Sequence, residues 1–218
     1  MNQTCFFFGN STCGKSAIIN GITGQVLCKS GFSFTKITSR SEIVYHEDQT
    51  YIDTTSMDLD NNEKNYKSII DITNVCLKYN KHNNCKIIFV FNVKNHEIDI
   101  LDIVALKIIL DSISITTYGI IFNRATKQFS EKFTEVVTRE NILKNLRKII
   151  PNLTEYFYLQ EIDNKLYESD SVEWYSESLN DFIKSIPNTT MTVLNVISNE
   201  YLEELCNIEI KLLKASLL

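Results

Sequence analysis

The sequence predicts an α/β fold in three layers, a mostly parallel six-stranded sheet between helices with one antiparallel edge strand, and three observations carry that reading. Short apolar runs rich in β-branched and aromatic residues alternate with longer segments of helical period, the pattern of strands joined by crossover helices. A turn bounded by Gly9 and Gly14 stands between the first apolar run and the first helical segment. Two strands, Glu42 to His46 and Tyr51 to Asp53, follow each other with only Glu47-Asp48-Gln49-Thr50 between them, so they form a hairpin and one of them runs antiparallel.

Each element has its own signal. Thr4 to Phe8 is an apolar strand, and the turn after it opens a helix from about Gly14 to Asn20. After the hairpin, Tyr66, Ile69, Ile70, Thr73, Cys76 and Leu77 recur at helical spacing and predict one buried face. Lys86 to Phe91 is an apolar run fit for a central strand, Ile98 to Leu110 a nearly all-apolar helix, and Thr117 to Phe122 the next strand. A helix from about Glu131 to Ile149, a strand near Glu155 to Leu159 and a helix with Tyr175, Leu179, Phe182, Ile183 and Ile186 on one stripe complete the domain, which Pro187-Asn188 closes. Residues 1–188 are therefore expected to form one domain, and 189–218 a separate amphipathic helix with Leu194, Ile197, Tyr201, Leu205, Ile208 and Leu212 on its apolar face. That stripe fits packing back on the domain or pairing with a partner helix.

Composition narrows the function classes. A formal net charge of -5 over 218 residues speaks against broad nucleic-acid binding, which needs clustered Lys and Arg. The six cysteines form no C-x-x-C pair and no metal-ligand spacing with His46, His82 or His96, so they read as thiols in a reducing compartment. The apolar run at the N-terminus is too short for a signal peptide or a membrane span, and neither lipidation signal is present. A cytoplasmic chain without a transmembrane segment is expected, with peripheral membrane contact left open.

The chemistry concentrates in Gly9-Asn10-Ser11-Thr12-Cys13-Gly14-Lys15-Ser16, which matches the phosphate-loop pattern G-x-x-x-x-G-K-[ST] in its proper place between strand and helix. The glycines allow positive φ and close backbone approach, so successive N–H groups of the loop, on to Ala17, can point at phosphate oxygens. The helix N-terminus adds its dipole, Lys15 brings a cation to the β- and γ-phosphates, and the Ser16 hydroxyl is a candidate magnesium ligand. Asp53, at the end of a hairpin strand, is a second candidate on the magnesium side, through a bound water. In the hydroxyl-rich segment 30–40, Thr35 or Thr38 is placed to complete the magnesium shell, or the segment is a plain surface loop.

Asn123-Arg124-Ala125-Thr126 ends the fifth strand, where open α/β sheets bind ligands. It resembles the N-K-x-D motif that reads guanine, with Arg124 for lysine and Thr126 for aspartate. One threonine oxygen cannot accept from both N1–H and the 2-amino group as a carboxylate does. Asn123 alternatively braces the loop.

With these residues in place the chain resembles the AIG/GIMAP family of septin-like P-loop GTPases, over about residues 3–186. The likeness rests on the phosphate loop followed by Ala17-Ile18-Ile19-Asn20-Gly21, similar to the family's G-K-S-A-x-x-N-x-I-L-G, on Phe34-Thr35-Lys36-Ile37-Thr38 and on Ile52-Asp53-Thr54-Thr55-Ser56. The resemblance implies a G domain that binds GTP and GDP with Mg2+, Thr35 as the switch threonine acting with Lys15, slow or partner-assisted hydrolysis, and a homodimer through the nucleotide face. Thr55 and Ser56 depart from the family's D-T-P-G, and Gln160-Glu161-Ile162-Asp163 stands where the family places an asparagine by the base. A nucleotide-binding interaction module that hydrolyses nothing is the second reading. A small-molecule kinase is the third, poorly served by four arginines scattered at positions 40, 124, 139 and 147.

Overall fold

The computed structural model describes residues 3–10, 12–28, 40–57, 62–79, 84–161 and 176–194. The first strand, β1 (Gln3–Phe8), leads through the glycine turn into α1 (Lys15–Thr23). The hairpin β2 (Glu42–His46) and β3 (Gln49–Asp53) follows, then α2 (Asn62–Tyr79) and β4 (Cys85–Lys94). A two-residue strand β5 (Glu97–Ile98) folds back on β4 before α3 (Ile100–Ser112), and β6 (Ile113–Ile115) follows that helix. The chain continues with β7 (Gly119–Ala125), α4 (Lys127–Thr134), α5 (Val136–Ile149), β8 (Tyr156–Glu161), α6 (Glu177–Ser185) and β9 (Met191–Val193).

The strand order is β2-β3-β1-β4-β7-β8, and every neighbouring pair is parallel except β2 with β3. Along this path the sheet has the predicted six strands with one antiparallel edge strand, and β5, antiparallel to β4, adds a seventh strand that the sequence does not predict. Alternation along β1 shows why three layers form. Phe6 and Phe8 face one core with residues of α2, α3, α4 and α5, whereas Cys5 and Phe7 face the other with residues of α1 and α6. Four aromatic rings, Phe122, Phe129, Phe133 and Phe157, pack together under β7 and fix α4 against the sheet.

The structure corrects four expectations. The helix expected from Glu131 starts at Lys127, because the Thr126 side chain caps it by accepting from the Phe129 N–H. It also breaks at Glu135, whose φ of -70° and ψ of 118° are extended, in a run where Thr134, Val136, Val137 and Thr138 all favour helix weakly. In α2 the buried face is Asn65, Ser68, Ile69, Ile72, Thr73 and Cys76, while Leu77 is 61% exposed; the polar Ser68 turns inward because its hydroxyl donates to the Ser56 carbonyl. The tail expected to be helical from Thr190 begins instead as β9, antiparallel to β6, and the Leu194 N–H continues the ladder to the Ser112 carbonyl. The rest of that tail, residues 195–218, lies outside the described residues.

Candidate functional site

The carboxyl ends of β1, β3, β4, β7 and β8 bring the predicted residues to one edge of the sheet. The loop after β1 is held tight by its glycines. At Gly14, φ is 94°, and an added Cβ would run into the Asn123 side-chain nitrogen; at Gly9 it would meet the Val90 carbonyl oxygen at 2.5 Å. Thr12 also takes a left-handed φ of 66°. Cys13 is fully buried there, and burial pushes its thiol up to about 12, which makes it a packing residue rather than a nucleophile.

Lys15 is only 5% exposed and curls over the loop, donating to the carbonyls of Gly9 at 3.1 Å and Asn10 at 3.3 Å and to Ser56 Oγ at 3.1 Å. Next to it, Ser16 Oγ donates to Asp53 Oδ2 at 2.5 Å. Asp53 is completely buried; desolvation raises its carboxyl above the usual carboxylate range, while Lys15 and the Ser16 hydroxyl pull the other way. Its second oxygen, Oδ1, is buried and accepts no hydrogen bond among the described residues.

An orphaned carboxylate oxygen beside a serine hydroxyl fits a hard divalent cation, since such an ion takes oxygen ligands, direct or through water, and magnesium needs few of them from the protein when phosphates supply the rest. No group of three or more His, Cys, Asp or Glu that could hold a metal ion occurs among the described residues. Ser16 and Asp53 supply oxygen donors, the kind that magnesium would take.

The turn after β3 is braced from two sides. The Thr55 N–H donates to Ser41 Oγ, which donates in turn to Asp71 on α2, and the Thr54 hydroxyl donates to the Phe7 carbonyl. Ser56, where the resembled family has glycine, thus contributes a hydroxyl to Lys15. The loop that follows α1 is clamped by Asn20, whose side chain accepts from the Leu27 and Cys28 N–H groups and donates to the Cys28 carbonyl.

At the end of β7, Asn123 Nδ2 donates to the Cys13 carbonyl at 2.7 Å, and its Oδ1 accepts the N–H of Arg124, whose φ of 57° is left-handed. Asn123 therefore does brace the phosphate loop. Thr126 Oγ1, besides capping α4, lies 2.6 Å from Nδ1 of His96 in the β4–β5 turn. His96 was not marked as a site residue by the sequence, because no spacing links it to Thr126; only the β4–β5 hairpin brings it there. Gln160 stands beside Asn123 in register on β8, and its Oε1 is buried without a hydrogen bond among the described residues. Ser11, Thr35, Thr38 and Asp163 lie outside the described residues, as does the rest of 29–39 between α1 and β2.

Among solved structures the chain is similar to Toc33 from Arabidopsis thaliana in complex with Mg2+ and GMPPNP, with a TM-score of 0.53 and 13% identity over 96% of this chain and 85% of that one. It is likewise similar to Toc33 in complex with GDP and Mg2+, with a TM-score of 0.52 and 14% identity over 97% and 86% of the two chains. The fold is that of a P-loop G domain. By sequence, no family model and no curated protein matches the chain. This G domain carries no described helix long and apolar enough to cross a membrane.

Proposed function

We propose that this G domain binds guanine nucleotide with magnesium, and that the nucleotide state governs its self-association, with GTP hydrolysis that is slow or completed by a partner. The observation that carries the reading is the phosphate loop capped by Lys15, with the Ser16–Asp53 pair beside it holding an unsatisfied carboxylate oxygen. Loop N–H groups from Ser11 to Ala17 and the α1 N-terminus would bind the phosphates, with the Asn10 N–H held by Asp102 behind them, Lys15 would move from the loop carbonyls onto the phosphates, and Ser16, Asp53 and Thr35 would hold the metal. Magnesium, when bound, supplies positive charge to the phosphate oxygens. Asn123 and Arg124 would frame the base, where the acceptor Gln160 Oε1 and the His96–Thr126 pair offer partners for guanine in place of the missing carboxylate. The similarity to Toc33 structures that contain GDP or GMPPNP supports this assignment, and the Ala17-to-Gly21 run supports membership of the AIG/GIMAP group as its finer form. A homodimer through the nucleotide face and a cytoplasmic setting belong to the same reading.

One observation favours the second reading, a fixed nucleotide-binding module without hydrolysis. The N–H that in a switch would turn to the γ-phosphate belongs to Ser56, which lacks the φ freedom of the family's glycine and whose hydroxyl already accepts from Lys15, while the Thr55 N–H beside it is bonded to Ser41. Sedimentation of the full chain with magnesium and either GDP or a non-hydrolysable GTP analogue separates the two. A switch sediments differently in the two states, and identical sedimentation with both nucleotides bound supports the fixed module.

A further inference from the structure

Asp102, in the first turn of α3, is 2% exposed and takes no part in the phosphate, metal or base arrangement. Its carboxylate accepts the Asn92 N–H at 2.6 Å and the backbone N–H of Asn10, so one side chain ties the end of β4 to the phosphate loop. The charged and titratable groups around it come from each packed element. Asp99, the N-cap of α3, opposes a second negative charge and is itself paired with Lys94 at 2.6 Å. Lys15 on α1 favours the charge, and Cys13 in the loop is a buried neutral thiol. Burial outweighs these and holds the Asp102 carboxyl up at about 7.

We infer that Asp102 is a positioning residue for the phosphate loop that takes up a proton from solvent when nucleotide binds. The inference rests on the reading that this loop receives phosphates. The ammonium of Lys15 is the favourable cation acting on Asp102, and a diphosphate seated against Lys15 offsets its field there and, even with its magnesium, adds a net negative charge. Both changes favour the neutral acid. The proton forms an O–H bond on one carboxylate oxygen, and the other oxygen still accepts from the loop, so the anchor at Asn10 survives while a buried charge disappears. Asn92, which touches the carboxylate through its N–H, also carries a buried side-chain oxygen that accepts no hydrogen bond among the described residues. Because the bound state holds more protons, nucleotide affinity falls as pH rises through about 7.

The test is calorimetric titration of GDP with excess magnesium into the full chain at pH 7, in buffers of different ionisation enthalpy. Protons exchanged by the nucleotide itself are common to the wild type and Asp102→Asn, so the difference in slope isolates Asp102. The wild type is expected to take up about half a proton more than the variant, since a group with pKa near 7 is half charged at that pH. Equal slopes with binding intact would overturn the inference alone, whereas no binding by the wild type would overturn the nucleotide reading and this inference with it. If Asp102→Asn does not bind, the wild type decides: binding several-fold weaker at pH 8 than at pH 6 supports the inference, and equal affinity at the two overturns it.

Discussion

Ser16 Oγ and Asp53 Oδ2 meet at 2.5 Å although 37 positions separate them in the chain. The contact joins the first turn of α1 to the end of β3, and it exists because β1 and β3 are parallel neighbours in register from Gln3 with Gln49 to Phe7 with Asp53. The sheet thus holds a hydroxyl against a carboxylate, the preorganisation that the proposed metal site needs.

Ser16→Ala is expected to leave the fold intact and to weaken magnesium-dependent nucleotide binding by on the order of 10- to 100-fold, the range found when metal-site support is removed. Titration of nucleotide in excess magnesium and in chelator checks this: the variant should lose most of the difference between the two conditions.

Removing the Asn123 side chain leaves the Cys13 carbonyl without its donor in a buried place and releases the left-handed backbone at Arg124. Asn123→Ala is expected to cost about 1–3 kcal/mol in chemical denaturation. Nucleotide affinity should fall by roughly tenfold for each 1.4 kcal/mol of loop order lost.

His96 is predicted to contribute to base choice through its contact with Thr126. His96→Ala should change the ratio of GDP to ADP affinity while leaving binding of inorganic pyrophosphate as it was. An unchanged ratio would assign base reading elsewhere, with Gln160→Leu as the next variant to titrate.

Stability should fall as pH rises from about 4 to 7. Asp102 has its carboxyl at about 7 in the folded chain against 3.8 for an ordinary aspartate, and Asp53 is raised as well. The native state then holds more protons than the unfolded state in that window, so the stabilisation present below the ordinary value is lost as pH climbs through the raised one. Denaturation at a series of pH values should show a slope of up to about 1.4 kcal/mol per pH unit for one such group, and Asp102→Asn should flatten it.

Lys86 is predicted to be structural. It is 4% exposed and donates to the carbonyls of Ile183, Lys184 and Ile186, so a buried cation closes the C-terminal end of α6. Lys86→Met should destabilise the domain by about 1.5–3 kcal/mol, the range for a hydrogen bond to a charged group, with no direct effect on nucleotide contacts.

The strands and the phosphate loop are legible in the sequence because each has a local cause: apolar runs for β1, β4 and β7, and fixed glycines with Lys15 and Ser16 for the loop. Asp53 is legible through the hairpin that delivers it. The residues that support the loop are not, since Asp102 sits in a helix whose neighbours are apolar, and His96 reaches Thr126 only through a two-residue strand. The strand Met191–Val193 is likewise hidden, since it depends on a partner strand, Ile113–Ile115, far away in the chain. Local pattern specifies elements, whereas long-range pairing decides which polar side chains meet.

The most direct test of the account is calorimetric titration of GDP, a GTP analogue and ATP, each with magnesium, into the wild-type chain and into Lys15→Ala. The account predicts binding of the guanine nucleotides, weak or no binding of ATP, and loss of binding in Lys15→Ala. Equal binding of ATP would contradict the base assignment, and absence of any binding to the wild type would contradict the central claim that this loop holds nucleotide.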